Sequence, residues 1–511
     1  MKNCPVQYCL NAANELFAGG LIVVGALLTA YAGGPTPPDS VSQGAVESQT
    51  RGALAQHSQS APATANPDTD SNSDSDTHSN ASSAVNKDGG GAEARPIDPK
   101  RSVEAFDFVW TMVRDKYWDP EMKGLNWEAV RDELRPKAET IDNTVELDRL
   151  LDEMLGRLKR SHYGIIPEQA YQGLANGTES DTSESSSTAG TIGVELRWVD
   201  GQAVVWKAIQ DSHAVQAGIR AGWVLIERQN QSIDALLTQT ASAAQNSLID
   251  SALLQRLIVR GLTDGRLGST ASFVWLDQDQ QRVVTELEYQ RPRGRETRFG
   301  NLPATYVDCE SRVVDGNIPM FSLNIFFEAP MVLEQFEKLL SEHRDAPGLI
   351  LDLRGNPGGL GFMAMSFGGW FTERSGLHLG TMITRSGSMR LSLLPRPEPF
   401  LGKVAVLVDE YSMSTSEILA GGLQDNGLAR IFGRKTPGMA LPSAIEKLPH
   451  GAGFQYAFAN YESADGETLE GHGVEPDQMI ELSRAQLLTG EDPDIAAAIQ
   501  WIRNATRETQ P

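Results

Sequence analysis

Along residues 103–117 the apolar side chains Val103, Phe106, Trp110, Val113 and Tyr117 recur at helical spacing, so this stretch is expected to be an amphipathic helix. A second helix is expected over 143–160. There Leu147, Leu150, Leu151, Met154, Leu155 and Leu158 form one stripe, and Asn143 with Glu146 makes a capping-box pattern. It runs out in Ser161-His162-Tyr163-Gly164. Beyond a polar loop at 173–190 the period changes to two. The runs TIGVELRWV, QAVVWKAI, GWVLIERQNQSI, TASFVWLD and RVVTELEYQ read as short strands, with a helical stretch at about 246–261. From about 303 strand and helix alternate. IPMFSLNIF precedes PMVLEQFEKLLSEHR, the buried strand GLILDLRG precedes a glycine turn, and KVAVLVDEY precedes SEILAGGLQDN. This alternation predicts an α/β core with a partly parallel sheet, whose reactive groups sit at the carboxyl ends of the strands.

The first hundred residues change the picture. Lys2 precedes an apolar run from Leu16 to Gly34, and Ala30-Tyr31-Ala32 has the small residues of a cleavage site. Residues 1–34 are therefore expected to be a signal peptide or an N-terminal anchor, which makes the chain exported, periplasmic or secreted, and membrane-tethered if the run is retained. Residues 35–97 hold almost nothing apolar and are expected to be a disordered linker. At 511 residues the chain exceeds a single core. Its formal charge of −23 disfavours nucleic acid as a partner. Three cysteines, Cys4, Cys9 and Cys309, cannot build a disulfide framework or a Cys-based zinc site, and no histidine pair has HxH or HExxH spacing. Neither metal nor cofactor is expected.

Two turns carry candidate chemistry. In LRGNPGGLG, residues 353–361, glycines follow a buried strand, but no Lys-Ser/Thr follows them as in a phosphate loop. The turn is either half an oxyanion hole, with Gly358 or Gly359 donating, or simply tight. In EYSMSTSEI, residues 410–418, Ser414 stands between a strand end and a helix start, where free N–H groups favour developing negative charge. The N–H of Thr415 could be a second donor. Ser412, Ser414 and Ser416 could equally be N-caps. A nucleophilic serine needs a base. His162, beside Ser161 at the end of a patterned helix, is one candidate; His472, near Glu470, is its competitor.

Taken together, GLILDLRGNPGG, VDEYSMSTSEILAGGLQDNG and LEGHGVEPD resemble the family of carboxyl-terminal processing proteases and tricorn protease. The resemblance spans about 99–503. It implies a crotonase/ClpP-like α/β core of mixed sheet and helices at 300–505, an N-terminal helical domain at 98–172, and an inserted PDZ-like β-rich domain at 190–291. Thr191, Ile192, Gly193 and Val194 would form the peptide-binding loop. One departure bears on mechanism. In the processing-protease branch a lysine follows the serine, and here RKTPGMALPS puts Met439 in its place, while Lys435 matches a different position. The tricorn-like branch uses two serines, a histidine and a glutamate, which fall on Ser414, Ser161, His162 and Glu470, with Gly359 and Thr415 as oxyanion donors. The resemblance thus implies a serine endopeptidase acting on protein or peptide substrates. The alternative is a catalytically inactive binding or scaffold protein of the same fold, which Met439 and Pro437 would suit.

Overall fold

The computed structural model describes residues 94–166, 168, 189–243, 251–298 and 304–508; the expected leader, nearly all of the expected linker and most of the polar loop lie outside the described residues. Both expected N-terminal helices form. Helix α1 spans Pro99–Lys116 behind the Asp98 cap, and α3 spans Thr144–Gly156, where the Asn143 side chain accepts the Glu146 N–H at 2.9 Å. Between them lies α2, Trp127–Ala138, which the apolar pattern did not announce. Its buried stripe is thin (Trp127, Val130, Leu134, Ala138), and Pro136 interrupts its last turn. Trp110 and Trp127 join α1 to α2, each indole N–H donating to the other's carbonyl at 3.0 Å.

These helices do not enclose a core of their own. Strand β1, Gly164–Ile166, pairs antiparallel with Gly453–Ala457, and the apolar cluster under the helices includes Leu441, Leu448 and Phe454 from that C-terminal region. The pairing sets Ile165 opposite Phe454 and so holds the segment just before it, Ser161-His162, against the far end of the chain.

The middle segment folds as an antiparallel sheet in the order β2 (Val194–Val199), β3 (Gln202–Ala208), β4 (Val224–Arg228), β5 (Thr270–Leu276) and β6 (Arg282–Glu288). Helices α4, Ile233–Ala243, and α5, Ser251–Gly261, accompany it, and α5 packs against β2, an edge strand. Ile192, Val205, Phe273 and Trp275 belong to its separate apolar cluster.

The C-terminal region carries a six-stranded sheet in the order β7 (Cys309–Val314), β8 (Ile318–Leu323), β9 (Gly348–Asp352), β10 (Lys403–Val408), β11 (Arg430–Gly433) and β12 (Gln478–Met479). The first pair is antiparallel and the others parallel. Strands of a parallel sheet covered on both faces are apolar throughout rather than alternating. Leu349 and Leu351 enter one cluster with helices α6 (Ala329–Glu342), α7 (Gly361–Gly368) and α8 (Thr415–Asp425); Ile350 enters another with Ala498 and Ile502 of α9, Pro493–Glu508. Adjacent strands β9 and β10 end in the glycine turn and the serine segment respectively. Among the described residues no helix is long and apolar enough to cross a membrane.

Candidate active site

The turns after β9 and β10 meet through Asn356. Its Oδ1 accepts the Gly358 N–H at 2.9 Å, its Nδ2 donates to the Leu323 carbonyl at 2.8 Å, and its own carbonyl accepts the Met413 N–H at 3.0 Å and the Ser416 hydroxyl at 2.9 Å. Gly358 (φ +104°) and Gly359 (φ +134°) both need backbone that other residues rarely adopt. A Cβ at Gly358 would lie 2.9 Å from the Ser414 Cβ and 3.0 Å from the Thr415 nitrogen, so the turn rests directly on the serine segment. The Thr415 hydroxyl donates to the Gly359 carbonyl at 2.8 Å. The N–H groups of Gly359 and Thr415 have no acceptor among the described residues. Thr415 opens α8, where helical geometry leaves an N–H unpaired.

Ser414 is buried, with φ +51° and ψ −113°. A non-glycine residue in so sparsely populated a region stores ~1–3 kcal/mol and persists only where its surroundings hold it. Its N–H donates to the Met439 carbonyl and to Glu417 Oε2, each at 2.9 Å. Of its neighbours, Ser412 donates to the Leu353 carbonyl at 2.8 Å and Ser416 to that of Asn356, so both are tied into packing.

On the other side stand Glu470, Ser161 and His162. The Ser161 N–H donates to Glu470 Oε1 at 2.7 Å and its hydroxyl to Oε2 at 2.8 Å. Having given its proton to Glu470, that hydroxyl accepts from His162 Nδ1–H, 2.7 Å away. The neutral ring is thereby left with a bare Nε2, which is buried and has no hydrogen-bond partner among the described residues. Burial pushes the His162 pKa from 6.5 down to about 3. Burial also raises the pKa of Glu470, against the pull of the Ser161 and Ala440 donors.

The two halves meet on one short strap. Met439 accepts the Ser414 N–H through its carbonyl, and the next residue, Ala440, donates its N–H to Glu470 Oε2 at 3.3 Å. No hydrogen bond joins His162 to Ser414. The Met439 side chain packs with Leu253 and Leu257 of α5 and with Tyr411 and Met413. Lys435 is exposed and pairs with Glu475 at 2.9 Å, and His472 is exposed beyond the Glu470 carbonyl. In the middle segment the N–H groups of Thr191, Ile192 and Gly193 all have acceptors inside the chain, namely the Gln290 carbonyl, the Thr263 carbonyl and the Thr191 hydroxyl; Val194 opens β2.

The peptidase family S41 profile matches residues 317–480, and the tricorn protease C1 domain profile matches residues 100–156. Over residues 317–480 the chain is thus similar to peptidase family S41, and it is a serine-type peptidase. A carboxyl-terminal-processing protease from Synechocystis is 27% identical to this peptidase over 405 residues, which is 77% of this chain and 85% of that protein. A tricorn protease homolog from Streptomyces coelicolor is 24% identical over 404 residues, 75% of this chain and 30% of the relative. The crystal structure of mature CPAF superposes with a TM-score of 0.52 at 14% identity, covering 76% of this chain and 94% of the other. That likeness speaks for the fold alone.

One feature of the peptidase leaves no trace in its sequence, and another only a local one. Arg197 on β2 is 2% exposed and reaches Asp409 at the end of β10, Nε to Oδ2 3.2 Å, while its guanidinium lies over Trp206 and Tyr411. Asp409 also accepts the N–H groups of Gly355 (2.8 Å) and Tyr411 (3.0 Å), so one carboxylate holds both turns. Although buried, its pKa is lowered, chiefly by Arg197 and Arg434. Nothing in the local pattern pairs residues 197 and 409. Glu417 did have a signal: it stands three residues after Ser414, the Ser-x-x-Glu spacing of a helix start.

Proposed function

We propose that the peptidase cleaves peptide bonds with Ser414 as nucleophile and His162 as general base. The reading is carried by one observation: the Glu470–Ser161–His162 chain leaves Nε2 bare, and the strap that anchors Glu470 also anchors Ser414. Nε2 takes the hydroxyl proton as Ser414 Oγ adds to the substrate carbonyl. The oxyanion is held by the N–H groups of Gly359 and Thr415, each such donor being worth ~3 kcal/mol. The imidazolium then gives its proton to the leaving amine, and water resolves the acyl-enzyme by the same route. Ser161 and Glu470 fix the tautomer and offset the positive charge.

The same reading divides the chain into a helical unit at 98–172, a PDZ-like unit at 190–291 and a catalytic core at 300–505. Substrate recognition runs through the PDZ-like unit. Because the 191–193 loop has no N–H to spare for a carboxylate, an extended segment adding to the unpaired edge of β2 beside α5 is the favoured mode. The apolar run of residues 16–34 supports exported substrates and an N-terminal tether.

In the test, Ser414→Ala protein of unchanged melting temperature is incubated with an unfolded protein substrate. Cleavage should disappear. Cleavage at the wild-type rate would overturn the assignment, and His162→Ala beside His472→Ala identifies the base.

A further inference from the structure

Glu417 is completely buried and meets only hydrogen-bond donors. Its Oε1 accepts from the Thr436 hydroxyl at 2.6 Å and the Gly438 N–H at 2.7 Å; its Oε2 accepts from the N–H groups of Ser414 and Met439, each at 2.9 Å. None of these partners is a cation. Desolvating a carboxylate is costly, and the four donors offset only part of that cost: burial still raises the pKa to about 7. Three of them lie on the strap 436–439, and the fourth is the backbone of Ser414 itself.

That geometry does two things. It occupies the Ser414 N–H, so that at this turn the N–H groups of Gly359 and Thr415, and not that of Ser414, are left without an acceptor among the described residues. It also sets the strap against the start of α8. The strap continues into Ala440, whose N–H holds the Glu470 carboxylate that anchors Ser161 and His162. Met439, at the position where a lysine was expected, contributes backbone to this lock and an apolar side chain to the Leu253–Leu257–Met413 cluster.

We propose that Glu417 is a positioning residue for the peptidase reaction, locking Ser414 and the 436–440 strap so that nucleophile and base keep a fixed separation. The inference rests on the proposed roles of Ser414 and His162. The Glu417 carboxylate bonds the four donors named above and not the reacting hydroxyl.

Glu417→Gln keeps the shape but turns one oxygen into an NH2 that confronts two donors. Displacement of the nucleophile by about 1 Å costs ~100-fold. The expected result is a kcat lower by ~100-fold with KM within about twofold, and fluorophosphonate labelling of Ser414 slowed in proportion. Thr436→Val removes one donor and leaves the Val474 N–H, now bonded to Thr436 Oγ1 at 2.7 Å, unpaired; Thr436→Ser keeps both bonds. The valine variant should lose ~10-fold in kcat and the serine variant should recover it, a distinction that a general loss of packing would not make. If Glu417→Gln does not fold, the Thr436 pair decides. Wild-type kcat in folded Glu417→Gln or in Thr436→Val, or an equal loss in Thr436→Ser, would overturn the proposal. Should Ser414→Ala still cleave, it is the underlying reading that fails; inactive Ser414→Ala beside fully active Glu417 and Thr436 variants sinks only the positioning role.

Discussion

His162 makes a quantitative prediction about acid. Its folded pKa of about 3 lies below the 6.5 of an unfolded chain, because burial denies the imidazolium its hydration. Between those values the unfolded state binds a proton that the native state does not, so stability is full above pH 6.5 and falls as the pH drops toward 3. The gap, at ~1.4 kcal/mol per pH unit, amounts to ~5 kcal/mol in total and ~2 kcal/mol between pH 6.5 and 5. Against a net stability of ~5–15 kcal/mol that is a large share. Glu417, raised to about 7 by burial, has the opposite slope: its contribution is full below pH 4.5 and lost as the pH rises through 7. It is present in both proteins to be compared, so it cancels in their difference. The assay is urea unfolding of wild type and His162→Gln at pH 7.5, 6.5, 5.5 and 5.0. The stability gap between them should shift against the wild type by ~2 kcal/mol from pH 6.5 to 5. Two curves that stay parallel within ~0.5 kcal/mol would refute the buried, neutral imidazole.

Three further outcomes can be checked. Ser161→Ala removes the acceptor of His162 Nδ1–H and so frees the tautomer; kcat should fall ~100-fold or more while the melting temperature moves little. Gly358→Ala places a Cβ 2.9 Å from the Ser414 Cβ at φ +104°, so it should destabilise the protein by ~1–3 kcal/mol in thermal melts and cut kcat by ~100-fold. Arg197→Met strands the Asp409 carboxylate in the interior, and urea unfolding should register a loss of ~3–5 kcal/mol.

What could be read from the sequence was whatever repeats or sits close by. The stripes of α1 and α3, the Asn143 cap and the both-faced apolar strands β9 and β10 are local patterns, and each appears where expected. Helix α2 was overlooked because a thin stripe and Pro136 weaken its period. Within the site, Ser161, His162 and Glu470 do converge, yet their meeting depends on β1 pairing with residues 453–457, which no spacing encodes. Arg197 and Asp409 are 212 residues apart and had no signal at all. Glu417 was in plain view as a helix-start glutamate; only the fold showed that the residues it binds beyond Ser414 come from a distant strap.

The pairing of Gly164–Ile166 with Gly453–Ala457 also has a meaning in time. Ser414 and its glycine turn are synthesised before residues 453–470 exist, so a growing chain has the nucleophile while its proposed base lacks both the strand that holds it and the Glu470 that orients it. Cutting power on this reading arrives only after residues 453–470 have emerged and paired with the Ser161–Ile166 segment. Until then the growing chain holds a nucleophile whose proposed base has not been set in place.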